Sequence, residues 1–285
     1  MYEIVWQYDE TIPYKEKKPV DAAEARRFLI AGNQTFANIF APHRLEGELT
    51  RQIVRISPRD VGISLTPGEA PTQAPFAAFL SCADARVPVE LIFGQQANDL
   101  FVVRVAGNVL GDECLGSLGY AVDQLGTVRL LVVLGHTGCG AVSAAVDAYL
   151  NPVSYLSVAA NFPLQAIIGR IMSPVHGAAS ALSAVHGEAV SARPGYRQAL
   201  IEAAVSLNAA LSAALLSHDF QESLGDRLQV SFGVYDLRYR NVGLPAFEPG
   251  SEWQTGLFSP PTTEAAFEEL AGRIARSPLI DGLLA

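Results

Sequence analysis

Apolar residues form short uninterrupted runs at three places in the first half of the chain, at residues 76–80, 100–105 and 130–134. None of these runs alternates with polar residues, and such runs are typical of parallel strands that are buried on both faces. Helix-like segments lie between them, at residues 88–93 and 115–125. The order strand, helix, strand, helix, strand predicts an α/β fold, with a central, mostly parallel β-sheet flanked by helices.

A helix is predicted near the N-terminus. Asp21 and Glu24 resemble a helix N-cap and its N3 partner, and apolar side chains follow at helical spacing. We therefore predict an N-terminal helix that begins after Asp21. Residues 44–75 contain repeated prolines and show no sustained period, so we expect mainly irregular connection there.

The second half of the chain continues with helical patterns. Residues 151–220 are rich in Ala, Leu and Ser and predict two or more packed helices. Within them, residues 201–216 are interrupted by Glu202 and Asn208, which predicts an amphipathic helix rather than a membrane span. The remaining predicted elements are a strand at residues 228–235 and a helix at residues 264–276.

The composition excludes several functional classes. The chain has 285 residues, 49% of them hydrophobic, which is enough to bury a sizeable core. The net charge of −9 and a pI near 5.0 argue against nucleic-acid binding, which depends on clustered Lys and Arg. No run of 18 apolar residues occurs, so no membrane span is expected.

The compartment is predicted from the first residues and from the cysteines. Residues 1–18 carry acidic side chains and lack a continuous apolar stretch, which is unlike a secretory signal. An odd number of cysteines, three, suits a reducing compartment better than a disulfide framework. We therefore expect a cytoplasmic protein.

Two short polar motifs follow predicted strands and carry metal-ligand residues. Cys82 follows one apolar run, and His136 and Cys139 follow another. Because the carboxyl ends of parallel strands meet at one edge of the sheet, we expect these motifs to lie together. Two thiolates and one imidazole can form a tetrahedral zinc site with a fourth position for water or substrate, as in catalytic zinc sites.

Asp84 and Arg86 follow Cys82 at a spacing that suits a dyad. A zinc ion with two thiolates carries about zero net charge, so it acidifies water less than a three-histidine site does. A carboxylate beside the zinc can compensate by accepting a hydrogen bond from the water and orienting the hydroxide. An arginine keeps such a carboxylate ionised.

Several motifs together resemble the β-class carbonic anhydrases. They are Cys82-x-Asp84-x-Arg86, residues 101–104 with Ala106-Gly107-Asn108, residues 117–122, Gly135-His136-x-x-Cys139-Gly140, and Gly233-Val-Tyr-Asp236. Gly32, Asn33 and Phe36 of the first predicted helix also match. The resemblance runs from that helix to Asp236, which implies a single domain over residues 1–285 with a divergent C-terminal tail at residues 237–285.

The resemblance implies an enzyme that reversibly hydrates carbon dioxide to bicarbonate and a proton by attack of zinc-bound hydroxide. It implies one Zn²⁺ per chain, bound by Cys82, His136 and Cys139, with Asp84 and Arg86 as the catalytic dyad. It also implies a homodimer, or a larger homo-oligomer of dimers, with residues 1–40 as an N-terminal helical arm that reaches across the dimer.

The plant-like branch of the family matches better than the other branch. Gln73 stands where that branch has a glutamine, which would donate a hydrogen bond to a substrate oxygen across the dimer interface. Phe101 and Tyr120 match aromatic wall residues of that branch, although the Tyr120 spacing is shifted by one residue. The other branch uses a tryptophan near the first cysteine, and only Trp6 and Trp253 occur here.

Each assignment has a purely structural alternative. Cys82 and Cys139 could be core thiols, since free cysteine is often buried. Asp84 and Arg86 could form an ion pair without function, or Asp84 could be a fourth zinc ligand that closes the site. Other structural roles are a loop or cap for Gln73, helix packing for Tyr120, a loop or core thiol for Cys114, and surface positions for His43, His176, His186 and His218.

Two other function classes stay open on the sequence alone. The same zinc site could hydrolyse carbon disulfide or carbonyl sulfide, with selectivity set by access to the pocket. Alternatively, the protein could bind zinc for assembly without catalysis. Asp84, Arg86 and Gln73 together favour an enzyme.

Overall fold

The computed structural model of this protein describes residues 2–8, 18–39, 50–58, 63–64, 66–153, 162–223, 225, 227–247 and 251–285. Its strands are β1 (Tyr2–Tyr8), β2 (Thr50–Ile56), β3 (Ala77–Ser81), β4 (Leu100–Arg104), β5 (Leu130–His136), β6 (Gln229–Tyr235), β7 (Val242–Pro245) and β8 (Trp253–Thr255). Its α-helices are α1 (Ala22–Ile39), α2 (Val89–Ile92), α3 (Asp112–Asp123), α4 (Gly140–Leu150), α5 (Phe162–His186), α6 (Tyr196–Asp219), α7 (Glu264–Ala275) and α8 (Pro278–Leu284). Short 3₁₀ helices span Ala106–Asn108 and Glu188–Ala192.

Six strands form the central sheet in the order β4-β3-β5-β6-β7-β8. The first four are parallel, whereas β7 and β8 join as antiparallel strands from the C-terminal tail. The predicted central, mostly parallel sheet flanked by helices is therefore confirmed. Because β3 and β5 are neighbours, the segments that follow them leave the same edge of the sheet side by side.

The helices cover both faces of the sheet. Successive side chains of a strand point to opposite faces, so Leu80 lies in a large core with α3 to α7, whereas Phe79 lies in a smaller core with α1 and α2. Every residue of β5 is buried. Its continuous apolar run therefore reflects burial on both faces, as predicted from the sequence.

Helix α6 differs from its prediction because it is buried around most of its circumference. Sixteen of its 24 residues are buried, among them Glu202 and Asn208. Within the described ranges it is also the helix with the length and composition to cross a membrane, yet 83% of its apolar window is buried inside the protein. The polar residues that indicated an exposed face lie in the interior instead.

Two predictions for the N-terminal third were wrong in part. Residues 2–8, assigned to the helical arm, form β1, and residues 50–56, expected to be irregular, form β2. The two strands pair in parallel along their whole length in a separate two-stranded sheet. Strand stability depends on the partner strand, and here the partner is distant in sequence, so neither local pattern indicates it.

The rest of the predicted arm forms α1, which lies against the sheet of its own chain rather than standing clear of it. Gly32 permits close contact with the turn after α2, since a Cβ there would lie 1.8 Å from the carbonyl oxygen of Phe93. Asn33 donates from Nδ2 to the carbonyl oxygen of Ile92 at 3.2 Å and accepts at Oδ1 from the amide of Val242 at 2.8 Å. These contacts fix α1 on the domain.

We predict that Gly32→Ala lowers the free energy of unfolding by about 1–3 kcal/mol, because a backbone oxygen cannot move aside as a side chain can. Gly169→Ala is the matched control, since a Cβ on this glycine of α5 would have no atom within 4 Å. The control should gain up to about 1 kcal/mol from helix propensity. Denaturant unfolding measures both variants, and an unchanged midpoint in Gly32→Ala would contradict the close contact.

Candidate metal centre

The ends of β3 and β5 bring Cys82, His136 and Cys139 together, as the sequence predicts. Their ligand atoms all lie within 4.8 Å of one another, and the two sulfur atoms are 4.0 Å apart. All three residues are buried. Zinc–sulfur bonds of about 2.3 Å at a tetrahedral angle place two sulfurs about 3.8 Å apart, so the spacing suits a shared ion.

The ring of His136 is oriented to present one nitrogen to the cluster. Nδ1 lies 3.0 Å from the carbonyl oxygen of Thr137, which makes Nδ1 the protonated nitrogen and hydrogen-bond donor. Nε2 is buried and has no hydrogen-bond partner among the described residues. A buried nitrogen lone pair without a donor is costly, and a metal ion in the cluster would remove that cost.

The two thiols influence each other's ionisation. Their mutual hydrogen bond lowers the pKa of Cys82 to about 4 and raises the pKa of Cys139, with burial adding to the second effect. One proton therefore leaves easily, whereas a second thiolate 4.0 Å from the first is opposed by repulsion. A divalent cation between the sulfurs would cancel this repulsion and allow both to ionise.

Backbone amides face both sulfur atoms. The amide of Gly107 donates to Cys82 Sγ at 3.4 Å. Cys139 is the N-cap of α4, and the nearby amides of Ala141 and Val142 partly offset the rise in the pKa of its thiol. Cys139 thus lies at the start of a helix, and the positive end of that helix favours the thiolate form.

Asp84 and Arg86 form a bidentate ion pair beside the ligand cluster. Arg86 donates from Nε to Oδ1 at 3.0 Å and from Nη2 to Oδ2 at 2.7 Å. These hydrogen bonds hold the pKa of Asp84 well below its usual range, so the carboxylate stays ionised. Oδ2 lies 3.8 Å from His136 Nε2, which places the charge next to the cluster.

The predicted pocket residues lie on other elements. Phe101 on β4 and Tyr120 on α3 form a tilted aromatic pair with ring centroids 6.4 Å apart. Gln73 is exposed on the segment before β3. None of these three takes part in the hydrogen bonds that hold the ligand cluster among the described residues, so their roles stay predictions.

A buried carboxyl group supports the turn between His136 and Cys139. Glu202 on α6 accepts from the amide of Gly138 at 3.3 Å and from Gln198 Nε2 at 2.8 Å. Burial raises the pKa of Glu202 above its ordinary value of 4.5. The group borders a cavity of about 260 Å³ behind the turn, lined also by Leu237, Leu279 and Leu283.

A family model described as carbonic anhydrase matches residues 77–238, which is more than half of the chain. The match contains all three ligand residues. This chain belongs to the β-class carbonic anhydrase family. The predicted resemblance is confirmed at that level, whereas the plant-like branch stays a prediction. The match ends at the start of the predicted divergent tail.

Individual relatives match shorter parts of this chain than the family model does. Carbonic anhydrase 2 of Mycobacterium tuberculosis is 53% identical over 81 residues, 28% of this chain and 39% of that protein. A carbonic anhydrase of Pseudomonas aeruginosa is 38% identical over 117 residues, 39% of this chain and 52% of that protein. The chain thus spans about two fifths to one half of the length of these curated relatives. A solved structure, described among two tetrameric β-carbonic anhydrases of Sordaria macrospora, aligns with a TM-score of 0.48 and 23% identity over 63% of this chain and 83% of that one.

Sequence reasoning missed residues that support the turns on which the candidate ligand residues lie. Arg104 donates from Nε to the carbonyl oxygen of Cys82 at 3.1 Å and from Nη2 to that of Asp84, which fixes the turn after β3. Glu202 and Asn208 were visible as polar interruptions of an apolar helix. They were interpreted as an exposed face, because one-dimensional patterns do not separate a polar face from a buried polar contact.

We predict that Glu202→Gln changes how stability depends on pH. A folded-state pKa above the unfolded value means that the stability contributed by Glu202 is complete below about 4.5 and is lost as pH rises through the folded pKa. The native protein should therefore lose stability relative to Glu202→Gln as pH rises above about 4.5, measured by denaturant unfolding. The exposed Glu113→Gln serves as control, and parallel curves for native protein and Glu202→Gln would contradict the prediction.

Proposed function

We propose that this protein is a zinc-dependent carbonic anhydrase that reversibly hydrates carbon dioxide to bicarbonate and a proton. The observation that carries the proposal is the buried cluster of Cys82, His136 and Cys139 beside the ionised Asp84, in a chain of the carbonic anhydrase family. Burying ionisable groups of this kind costs folding free energy, so their presence together in the interior indicates a functional site.

The donor set fits one Zn²⁺ per chain. Cys82, Cys139 and Nε2 of His136 would hold the ion, since the sulfur spacing and the unpartnered nitrogen suit tetrahedral coordination. Three protein ligands leave one position for water or substrate. When bound, the ion supplies Lewis acidity that activates a water molecule as the nucleophile.

Asp84 and Arg86 orient the reacting water in this proposal. The ionised carboxylate can only accept hydrogen bonds, so it takes one O–H of the water and directs an oxygen lone pair towards the carbon of carbon dioxide. Arg86 keeps Asp84 ionised and in place through two hydrogen bonds. Both carboxylate oxygens of Asp84 accept hydrogen bonds from Arg86. In this proposal Asp84 therefore binds the water and does not close the site as a fourth zinc ligand.

We further propose the plant-like arrangement, in which Gln73, Phe101 and Tyr120 contact carbon dioxide or bicarbonate in a homodimer or a larger assembly of dimers. Support comes from Asn98, which accepts from the amide of Ala74 at 3.0 Å and donates to the carbonyl oxygen of Thr72 at 3.1 Å. These bonds fix the backbone on both sides of the exposed Gln73. We assign the protein to the cytoplasm on its composition.

We predict that Cys82→Ser and Cys139→Ser lose most of their zinc, because a serine hydroxyl does not ionise at neutral pH to replace a thiolate ligand. Cys114→Ser is the matched control, since Cys114 is a free thiol on α3 outside the cluster. Native mass spectrometry of purified protein should show about one zinc per chain in the parent and the control. Full occupancy in both cluster variants would exclude this zinc site.

We predict that Asp84→Asn keeps its zinc and loses about 10- to 100-fold in turnover, because an amide donates where an acceptor is required. Asp147→Asn is the matched control: Asp147 forms an equivalent bidentate pair with Arg197, at 2.6 and 2.8 Å, elsewhere on the surface. Stopped-flow carbon dioxide hydration measures both. Equal rates for Asp84→Asn and the parent would leave the dyad with a structural role only.

The substrate class is tested on the zinc-loaded parent protein. Carbon dioxide hydration and sulfide release from carbon disulfide and carbonyl sulfide are assayed in parallel. Hydration without sulfide release supports the proposal. Sulfide release alone would assign the protein to the sulfide substrates, and inactivity with full zinc occupancy would assign it a non-catalytic role.

A further inference from the structure

Several polar side chains of helix α6 are buried in the interior of the protein. Glu202, Ser206, Asn208 and Ser212 are each at most 8% exposed. Buried polar groups require hydrogen-bond partners, so the partner of each side chain shows which segment of the protein it fixes in place. Among the described residues, three of the four reach a turn outside the helix, whereas Ser206 Oγ bonds only to the carbonyl oxygen of Glu202 in its own helix.

The Asn208 bond leads directly to a ligand residue. Asn208 Nδ2 donates to the carbonyl oxygen of Gly107 at 2.8 Å, and the amide of Gly107 donates to Cys82 Sγ at 3.4 Å. We propose that Asn208 is a positioning residue for the Cys82 thiolate, acting through Gly107. This inference rests on the proposed zinc site.

Gly107 is well suited to transmit the effect of Asn208. Its φ of +66° belongs to the left-handed region, and a Cβ would lie 2.8 Å from Ile171 Cδ1 and 3.0 Å from Ala141 Cβ. The residue is therefore confined on two sides by α4 and α5, while Asn208 holds its carbonyl from α6. Ser212 holds the next carbonyl, that of Asn108, at 3.4 Å. With both carbonyls bound, the amide of Gly107 is directed at the sulfur.

The amide matters because it sets how strongly the sulfur donates electrons to a bound metal. A hydrogen bond to a thiolate withdraws electron density from sulfur, and partners outside the ligand set tune metal sites in this way. Loss of the Asn208 bond would leave the Gly107 carbonyl unsatisfied, so the turn would reorient and its amide would leave Cys82. Asn208 would thereby alter the metal site without touching the metal.

The test uses the protein loaded with Co²⁺, whose thiolate-to-cobalt charge-transfer band reports sulfur donor strength. Asn208→Leu, similar in its branched shape and without a donor, should move the band to lower energy, because a sulfur without its hydrogen bond donates more strongly. Ser206→Ala is the matched control, since it removes a buried hydroxyl from the same helix that bonds only within it. The control should keep the parent band.

The outcomes separate this inference from the proposed function. A parent protein without a thiolate-to-cobalt band would overturn both the zinc site and the inference. A parent band that is unchanged in folded Asn208→Leu would overturn the inference alone. If Asn208→Leu does not fold, Asn208→Ala replaces it and provides the same measurement with a smaller side chain. A shift in the variant that is measured, absent from Ser206→Ala, supports the role of Asn208.

Discussion

Two cysteine sulfurs and an imidazole nitrogen are buried side by side at the end of a parallel sheet, and most features of the site follow from that constraint. The sulfurs are 4.0 Å apart, where two negative charges repel strongly in a poorly solvated environment. The nitrogen of His136 has no donor among the described residues. A dication would satisfy all three groups at once, which agrees with the amide that faces Cys82 and with the histidine that carries its proton on the far side.

The sheet topology makes this arrangement possible. Adjacent parallel strands end at the same edge of the sheet. Cys82 after β3 and His136 at the end of β5 are therefore neighbours although they are far apart in sequence. Side chains from other elements then fix the turns on which the candidate ligand residues lie. Arg104 binds two carbonyls of the first turn, and Glu202 and Asn208 reach the turns from the buried helix α6.

Position, rather than geometry, distinguishes the proposed dyad from an ordinary surface ion pair. Asp147 with Arg197 has the same bidentate geometry as Asp84 with Arg86. Exposed pairs of this kind contribute little to stability, about 0–1 kcal/mol. Asp84 differs because its carboxylate lies 3.8 Å from the imidazole of the ligand cluster, where an ionised acceptor can direct a water molecule.

Local pattern by itself determined the strands β3 to β6, the helices between them and the candidate ligand residues, because continuous apolar runs and the motifs around Cys82 and His136 are local signals. The tertiary structure decided what depends on distant partners. It paired β1 with β2, added β7 and β8 to the sheet and placed α1 on its own domain. It also decided that Glu202 and Asn208 face inward, since a polar residue in an apolar helix has the same local pattern whether it meets water or a buried backbone group.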